Sequence, residues 1–184
     1  MNLDTLGLVE SRTIAVGIFL ADKMVKAADV TLVKASTICA GRYFIQISGD
    51  RSAVETAVAS AEDSDYSLVG SFVISNVHPD LLLGVGRCRE IAEGDAIGVV
   101  ECKTVSAGVI AADQALKKAS VQLARLVVGQ GISGKSYFIL NGEIAEVEEA
   151  VAAARQVLDR YLLETVVLPA PDATIIEALT NRAR

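Results

Sequence analysis

The sequence is poor in aromatic residues, histidine and cysteine, and each shortage excludes a class of function. Aromatic residues make up 4% of the 184 residues and tryptophan is absent, so few rings are available to stack on nucleic-acid bases. A single histidine, His78, excludes sites that need several histidines in one chain. The three cysteines, Cys39, Cys88 and Cys102, form no CxxC pair, and their odd number argues against a disulfide framework.

Basic runs and long apolar segments are also missing. The formal net charge is −6, and without a basic run we expect no nucleic-acid partner, because such binding depends on neutralising phosphates. No segment approaches the roughly 18 consecutive apolar residues of a membrane span. The first residues lack the basic and apolar segments of a secretory signal. We therefore expect a cytoplasmic chain without a membrane partner.

Small and aliphatic residues are what the sequence has in excess. Apolar residues make up 52% of the chain, so the core must be built from valine, isoleucine, leucine and alanine. The mean hydropathy of +0.43 has two explanations that the sequence does not separate. Part of the apolar surface is buried against other subunits, or the core is simply rich in alanine and valine.

The first half of the sequence is repeated in the second half. The segment LGLVE at 6–10 recurs as IGVVE at 97–101, an offset of 91 that continues through the next 20 or so residues. After Leu123 the offset becomes 93, because Gly41 corresponds to Gly134, so two extra residues entered the second copy there. A period of about 90 residues is too long for a solenoid and suits a small domain. We predict two domains, 1–93 and 94–184.

Each copy is predicted to have the element order β-α-β-β-α-β. In the helix at 14–28, Val16, Leu20 and Met24 stand four residues apart and form an apolar stripe. The predicted strands are 5–9, 30–33, 43–48 and 72–77, then 96–100, 121–128, 136–141 and about 162–168, and the other predicted helices are 52–61, 105–119 and 143–159. Residues 36–41 are predicted as a loop, 80–95 as a connection, and 172–184 as a short helix or tail. The fold class is α+β, with each domain a ferredoxin-like, four-stranded antiparallel sheet that carries helices on one face.

Residues 129–136, GQGISGKS, have the spacing of a phosphate-binding loop. Such a loop follows a strand and opens a helix, whereas 136–141 is predicted as a strand and the equivalent segment 36–42 has no cluster of glycines. A ferredoxin-like trimer that binds a nucleotide through 129–136 is therefore kept only as an alternative. No nucleophile, base and oxyanion site can be assembled, so we do not expect an enzyme.

Two further features could carry function. Glu10 and Glu101 occupy equivalent positions after the first strand of each copy; they are either a paired acid at a subunit interface or, more simply, helix-start or salt-bridge residues. Cys39 lies in the segment equivalent to the glycine-rich loop. One cysteine per chain holds a metal only if symmetry brings copies together. A trimer would supply three thiolates, one fewer than the four that usually hold an iron–sulfur cluster, so the open position would take water or another non-protein ligand.

Several of these segments resemble the bacterial microcompartment shell domain. They are GLVE at 7–10, ADKMVKAADV at 21–30, the loop before Gly41 and the Gly49-Asp50 turn, and the same signature reappears from Gly98 to Glu143. The resemblance implies a structural protein of the microcompartment shell. It also implies a homotrimer of tandem domains, which mimics the hexamers of single-domain members and tiles flat facets together with other shell proteins.

The resemblance also implies site residues. The central pore would be lined by Ser36, Thr37, Ile38, Ala40 and Gly41 and by Gly129, Gln130, Gly131, Ile132, Ser133 and Gly134. Thr37-Ile38-Cys39 followed by Gly41 resembles the propanediol-utilisation-type branch, although Ala40 and Arg42 replace its proline and lysine. In that branch one cysteine per subunit is thought to bind a single [4Fe–4S] cluster on the threefold axis. Cys39 is thus the expected metal ligand, for electron transfer or cluster delivery across the shell, whereas Cys88 and Cys102 are not. A metal-free pore that conducts small polar metabolites is the alternative.

The family's edge motifs are only partly kept. Lys26 and Lys117 match the edge lysines that pack between neighbouring oligomers. The second edge motif reads PAPD at 169–172 and NVHP at 76–79, so both copies lack the edge arginine. The resemblance therefore implies lysine contacts at the oligomer edges, with facet contacts that are altered or confined to some edges.

Overall fold

The structure is a computed structural model that describes residues 5–84, 89–92 and 95–180. Its strands are β1 (Thr5–Ser11), β2 (Thr31–Ile38), β3 (Arg42–Gly49), β4 (Leu68–Ser75), β5 (Ala96–Cys102), β6 (Gln122–Val128), β7 (Ser136–Gly142) and β8 (Leu162–Leu168). Its α-helices are α1 (Ile14–Ala27), α2 (Arg51–Glu62), α3 (Pro79–Gly84), α4 (Val105–Lys118), α5 (Ile144–Leu158) and α6 (Ala173–Thr180). Short 3-10 turns at Cys39–Gly41 and Asp159–Tyr161 precede β3 and β8.

The strands form two four-stranded sheets with the same order. The first sheet is β2-β3-β1-β4 and the second is β6-β7-β5-β8. All neighbouring strands are antiparallel, and each sheet places the first strand of its copy in the interior. The predicted α+β fold class, with a β-α-β-β-α-β unit written twice, is confirmed.

The repeated glycine of the LGLVE motif lets a helix pack closely on the central strand. A Cβ atom at Gly7 would lie 2.7 Å from Ile47 Cγ1 and 2.8 Å from Val58 Cγ2, on β3 and α2. A Cβ atom at Gly98 would lie 2.8 Å from Val147 and Val151, both on α5. Any larger residue would force these side chains apart in a close-packed core. The motif is therefore explained by packing within each sheet-and-helix layer.

The first core is built from aliphatic residues of β1, β3, α1 and α2. The predicted helix stripes supply Leu20 and Met24 from α1 and Val54, Ala57 and Val58 from α2, all at most 3% exposed. They pack on Val9, Ile45 and Ile47 of the sheet. In the second copy, Val147, Ala150, Val151, Ala154 and Leu158 form the buried stripe of α5, as the periodicity predicts.

The chain divides into two compact units that do not follow the sequence repeat everywhere. The first unit contains the described residues up to Val77, together with Thr104–Ser106 and Gly129–Gly134. The second unit contains His78–Lys103, Ala107–Val128 and the residues from Lys135 onward. Two short segments of the second sequence copy therefore belong to the first unit. The boundaries 1–93 and 94–184 stay a prediction about the sequence domains.

The predicted loop at 36–41 is wrong for its first three residues. β2 continues to Ile38, which pairs with Arg42, and only Cys39–Gly41 form the turn. Most of β2 is exposed at the edge of the sheet, so polar residues such as Lys34 and Thr37 do not interrupt it. The last strand of the copy also begins earlier, at Leu68 instead of Phe72, and ends at Ser75. The predicted 80–95 connection begins inside α3.

Candidate functional site

The two predicted pore segments lie side by side in the first unit. The backbone N–H of Cys39 donates to the carbonyl oxygen of Gly129 at 3.1 Å, and the backbone N–H of Gly131 donates to Cys39 Sγ at 3.2 Å. Ser36, Thr37 and Ile38 end β2, Ala40 and Gly41 form the turn, and Gly129, Gln130, Gly131, Ile132, Ser133 and Gly134 form the facing loop. The alignment of the two sequence copies therefore identified two segments that are neighbours in space.

The glycines of this loop are required by backbone conformation and by close contacts. Gly129, Gly131 and Gly134 have φ angles of 74°, 75° and 75°, a region that side chains other than glycine rarely enter. A Cβ atom at Gly134 would lie 2.9 Å from the carbonyl oxygen of Cys39. The three glycines of the GxGxxG pattern therefore allow the Gly129–Gly134 loop to pack closely against the turn at Cys39–Gly41.

The loop does not have the geometry of a phosphate-binding loop. A strand, β7, begins at Ser136, which is fully buried, where a helix would be needed. The Lys135 ammonium lies 3.0 Å from Glu101 Oε1, so it is already engaged in an ion pair. The nucleotide-binding alternative, which depended on residues 129–136, therefore loses its structural basis.

Cys39 has the environment of a thiol that can be a ligand, but it is a single donor. Its side chain is partly exposed, and its sulfur accepts the backbone N–H of Gly131 at 3.2 Å. Within 5–84, 89–92 and 95–180, no three His, Cys, Asp or Glu residues come together as a metal site. One chain therefore offers a single thiol here, and a metal ion at Cys39 would need further donors from outside the chain.

Cys102 has the opposite environment. It is fully buried at the end of β5, and burial raises the pKa of its thiol to about 12. Cys88 lies outside the described residues. That Cys102 is not a ligand stays a prediction.

Alkylation should separate these two thiols. With iodoacetamide at pH 8, Cys39 in the folded protein is expected to react, whereas Cys102 stays unmodified until the chain unfolds. At a pKa of about 12 only about one Cys102 thiol in ten thousand is ionised at this pH. Peptide mass mapping with and without urea measures both sites, and equal labelling of both cysteines in the folded protein would contradict this prediction.

Glu10 is a buried carboxylate that organises the start of α4. Its Oε1 lies 3.1 Å from Arg42 Nη1, and its Oε2 accepts the backbone N–H groups of Val105 at 3.0 Å and Ser106 at 3.2 Å. Burial raises the pKa of Glu10, and the hydrogen bonds from Ser106 and Arg42 offset part of that rise. The carboxylate also faces the positive end of the helix dipole. The salt-bridge interpretation of Glu10 is confirmed. The prediction that Glu10 follows the first strand is wrong, because it lies inside β1, and the helix whose start it binds is α4 and not α1.

Glu101 repeats the ion pair of Glu10 in a different environment. It pairs with Lys135, the equivalent of Arg42, at 3.0 Å, but its side chain is 41% exposed whereas that of Glu10 is fully buried. Both members of the Glu10–Arg42 ion pair are therefore repeated in the second copy, as Glu101 and Lys135. Sequence reasoning singled out the two acids but missed their partners, although Arg42 and Lys135 occupy matching positions.

The two predicted edge lysines also differ in environment. Lys26 pairs with Asp22 at 2.6 Å on the surface, where both side chains are more than half exposed. Lys117 pairs with the fully buried Asp113 at 2.5 Å and is only 28% exposed. Asp113 also accepts the backbone N–H of His78 at 2.8 Å. Lys26 and Lys117 stay predicted oligomer-edge contacts, with Lys26 the more accessible of the two.

In the part of the chain that the structure describes, no helix has the length and apolar character needed to cross a membrane.

Comparison with known proteins agrees with this fold. The BMC domain family matches residues 5–77 and again 96–171. The bacterial microcompartment shell protein PduT of Citrobacter freundii is 34% identical over 152 residues, which cover 82% of this chain and 83% of that protein. The carboxysome shell protein CcmK2 of Thermosynechococcus vestitus is 41% identical over 69 residues, 38% of this chain and 68% of that protein. The crystal structure of a microcompartment protein from Desulfitobacterium hafniense is 35% identical, with a TM-score of 0.78 over 94% of this chain and 98% of that one. The chain therefore belongs to the BMC-domain family of bacterial microcompartment shell proteins, as a member with two tandem BMC domains.

Proposed function

We propose that this shell protein forms a homotrimer, a pseudohexameric tile that assembles with other shell proteins and has a pore at its centre. The observation that carries the proposal is the bonding of the Cys39 turn to the Gly129–Gly134 loop. These are equivalent segments of two copies of one domain, adjacent to each other in the first unit. Three such pairs around a threefold axis would surround one opening with six related segments.

We further propose that the three Cys39 thiolates of a trimer hold one [4Fe–4S] cluster. The partial exposure of Cys39 and the N–H bond from Gly131 to its sulfur support this role. Water or another non-protein ligand would complete the coordination of the iron atom that no cysteine binds. When bound, such a cluster supplies one-electron chemistry, which would serve electron transfer or cluster delivery across the shell.

A metal-free pore is the second candidate, and the small, uncharged side chains exposed on the two segments favour it. The exposed residues of the two segments, Thr37, Ala40, Gly41, Gln130, Gly131 and Ser133, are small or polar and uncharged. Such a lining offers hydroxyl, amide and backbone groups to small polar metabolites.

One experiment tests both candidates. Protein purified without oxygen is analysed for molar mass by light scattering and for iron and sulfide content. A mass of three chains with about four iron atoms per three chains is the expected result. A trimer without iron after anaerobic reconstitution would overturn the proposed cluster and leave the proposal of a shell tile with a metabolite-conducting pore. A monomer at all concentrations would overturn the tile.

A further inference from the structure

A cleft of about 620 Å³ lies at one end of the second sheet, within the second unit. It is found where β6 begins and β7 ends, and it is also lined by residues of α3 and of the connection that leads to β5. We call this space the acidic cleft and define it by six of its lining residues, Asp80, Arg89, Glu90, Asp95, Val121 and Asn141.

Asn141 brings a buried hydrogen-bond acceptor to the acidic cleft. Its side chain lines the cleft and the residue is only 4% exposed. Its Nδ2 group donates to Asp95 Oδ2 at 2.9 Å, which fixes the orientation of the amide. In this orientation Asn141 Oδ1 has no hydrogen-bond partner among the described residues. A buried amide oxygen without a partner is unfavourable, so a ligand that offers a donor to this atom would gain affinity.

The charged side chains of the cleft have an excess of negative charge. Three of them are carboxylates, those of Asp80, Glu90 and Asp95, and one is the guanidinium of Arg89. Arg89 Nη2 lies 2.9 Å from Asp80 Oδ1, so this guanidinium is engaged with one of the three acids. Asp95 accepts its bond from a neutral amide, which leaves its charge in place. The cleft therefore favours a cation.

The size of the cleft and the placement of its acids favour an organic cation over a metal ion. A bound Ca²⁺ or Mg²⁺ needs several oxygen ligands within about 2.5 Å of one point. Within 5–84, 89–92 and 95–180, no three Asp, Glu, His or Cys side chains come together in that way. The apolar side chains of Ile91 and Val121 also line the cleft and could contact methylene groups. A linear molecule with separated charges can reach acids that one ion cannot.

We propose that the acidic cleft binds a linear amine of the diamine or polyamine class. One ammonium group would bind Asp95 and donate to Asn141 Oδ1, and a second would bind on the side of Glu90. The methylene groups between them would contact Ile91 and Val121. Hydrogen bonds between an ammonium and a carboxylate are charge-assisted and therefore strong. The site depends neither on the proposed trimer nor on the proposed cluster, because its lining residues all belong to the second unit.

Isothermal titration calorimetry of the purified full chain with putrescine and spermidine tests this site. We expect saturable binding of one amine per chain at physiological ionic strength. Butanediol, which has the carbon chain of putrescine without its charges, should not bind. The absence of saturable binding for both amines would overturn the proposal. Magnesium chloride that binds once per chain and blocks putrescine would also overturn it, because the cleft would then be a metal site.

Matched variants test the residues of the site. Asp95→Asn should weaken putrescine binding by at least about tenfold, because it removes the charge but keeps an acceptor for the Asn141 amide. Asn141→Ser should also weaken binding, because a shorter side chain withdraws the acceptor. The strand registers place Ser48 of the first sheet at the position equivalent to Asn141, so the fold should accommodate serine there. Glu55→Gln removes one charge from an exposed ion pair of the first unit and should leave binding unchanged.

Hydrogen exchange of the wild-type chain gives a measurement that needs no variant. Putrescine should slow backbone exchange in peptides that contain 89–92 and 120–122, and it should not change exchange in 51–62.

Two further outcomes would contradict the site. Equal weakening by Asp95→Asn and Glu55→Gln would mean that the amine follows the net charge of −6 and not the cleft. Unchanged binding in folded Asp95→Asn and Asn141→Ser proteins, with exchange slowed elsewhere, would place the amine at another surface. A monomeric protein that still binds putrescine would overturn the proposed trimer and leave the acidic cleft as a binding site.

Discussion

Cys39→Ser is expected to leave the trimer without iron, a fall from about four iron atoms per three chains to none after anaerobic reconstitution. Each chain offers one thiol to the shared site, so a single substitution removes all three protein ligands at once. A serine hydroxyl stays protonated at neutral pH and is a poor ligand for iron in a cluster. Iron and sulfide content, measured on the isolated trimer, gives the result.

The trimer itself should survive this substitution. The bond from the Cys39 backbone to Gly129 does not involve the side chain, and a serine oxygen can still accept the N–H of Gly131. Cys102→Ala is the matched control, because Cys102 is fully buried and its pKa is raised to about 12; it should keep the iron. If the Cys39→Ser protein keeps iron at the wild-type level, Cys39 is not a ligand of the cluster.

Glu10→Ala is expected to lower the free energy of unfolding by about 2 to 3 kcal/mol. The substitution removes the acceptor for the backbone N–H groups of Val105 and Ser106 and leaves Arg42 without its carboxylate. Arg42 is 27% exposed, so water can solvate part of its charge, which places the loss below that of a fully buried pair. Urea unfolding followed by circular dichroism measures the change.

Two further variants identify the cause of this loss. Glu55→Ala breaks the Arg51–Glu55 pair, whose side chains are 71% and 49% exposed, and should cost no more than about 0.5 kcal/mol. Glu10→Gln keeps an acceptor for the helix start and should fall between the two. Equal losses in Glu10→Ala and Glu55→Ala would mean that the buried carboxylate does not stabilise the start of α4.

The internal repeat explains how much of the fold the sequence predicts. Two copies give two readings of each element, so helices α1, α2, α4 and α5 and the interior strands were placed within a few residues. The edge strand β2 extends beyond the predicted 30–33 to Ile38, because most of its side chains are exposed and apolar alternation marks only strands with a buried face. Helix α3, with six residues, is too short for periodicity to detect.

The candidate site was predictable as a set of segments and not as a set of contacts. The alignment of Cys39 with the loop that contains Gly131 identified two segments that meet in space. The bond from the Gly131 N–H to the sulfur depends on backbone geometry, which no side-chain pattern records. Glu10 was likewise recognised as a repeated acid, but its partners Val105 and Ser106 contribute backbone N–H groups. Those contacts follow from tertiary structure alone.

The presence of Thr104–Ser106 and Gly129–Gly134 in the first unit has a consequence for synthesis on the ribosome. The first 77 residues emerge early, yet Glu10 meets its partners only after Ser106 has left the exit tunnel, and Cys39 only after Gly131 has done so. Until then a buried carboxylate lacks two of its donors and the cysteine turn lacks its facing loop. The first half of the chain therefore completes its native contacts late, and a chain cut at its middle would lack the backbone partners of Glu10 and Cys39.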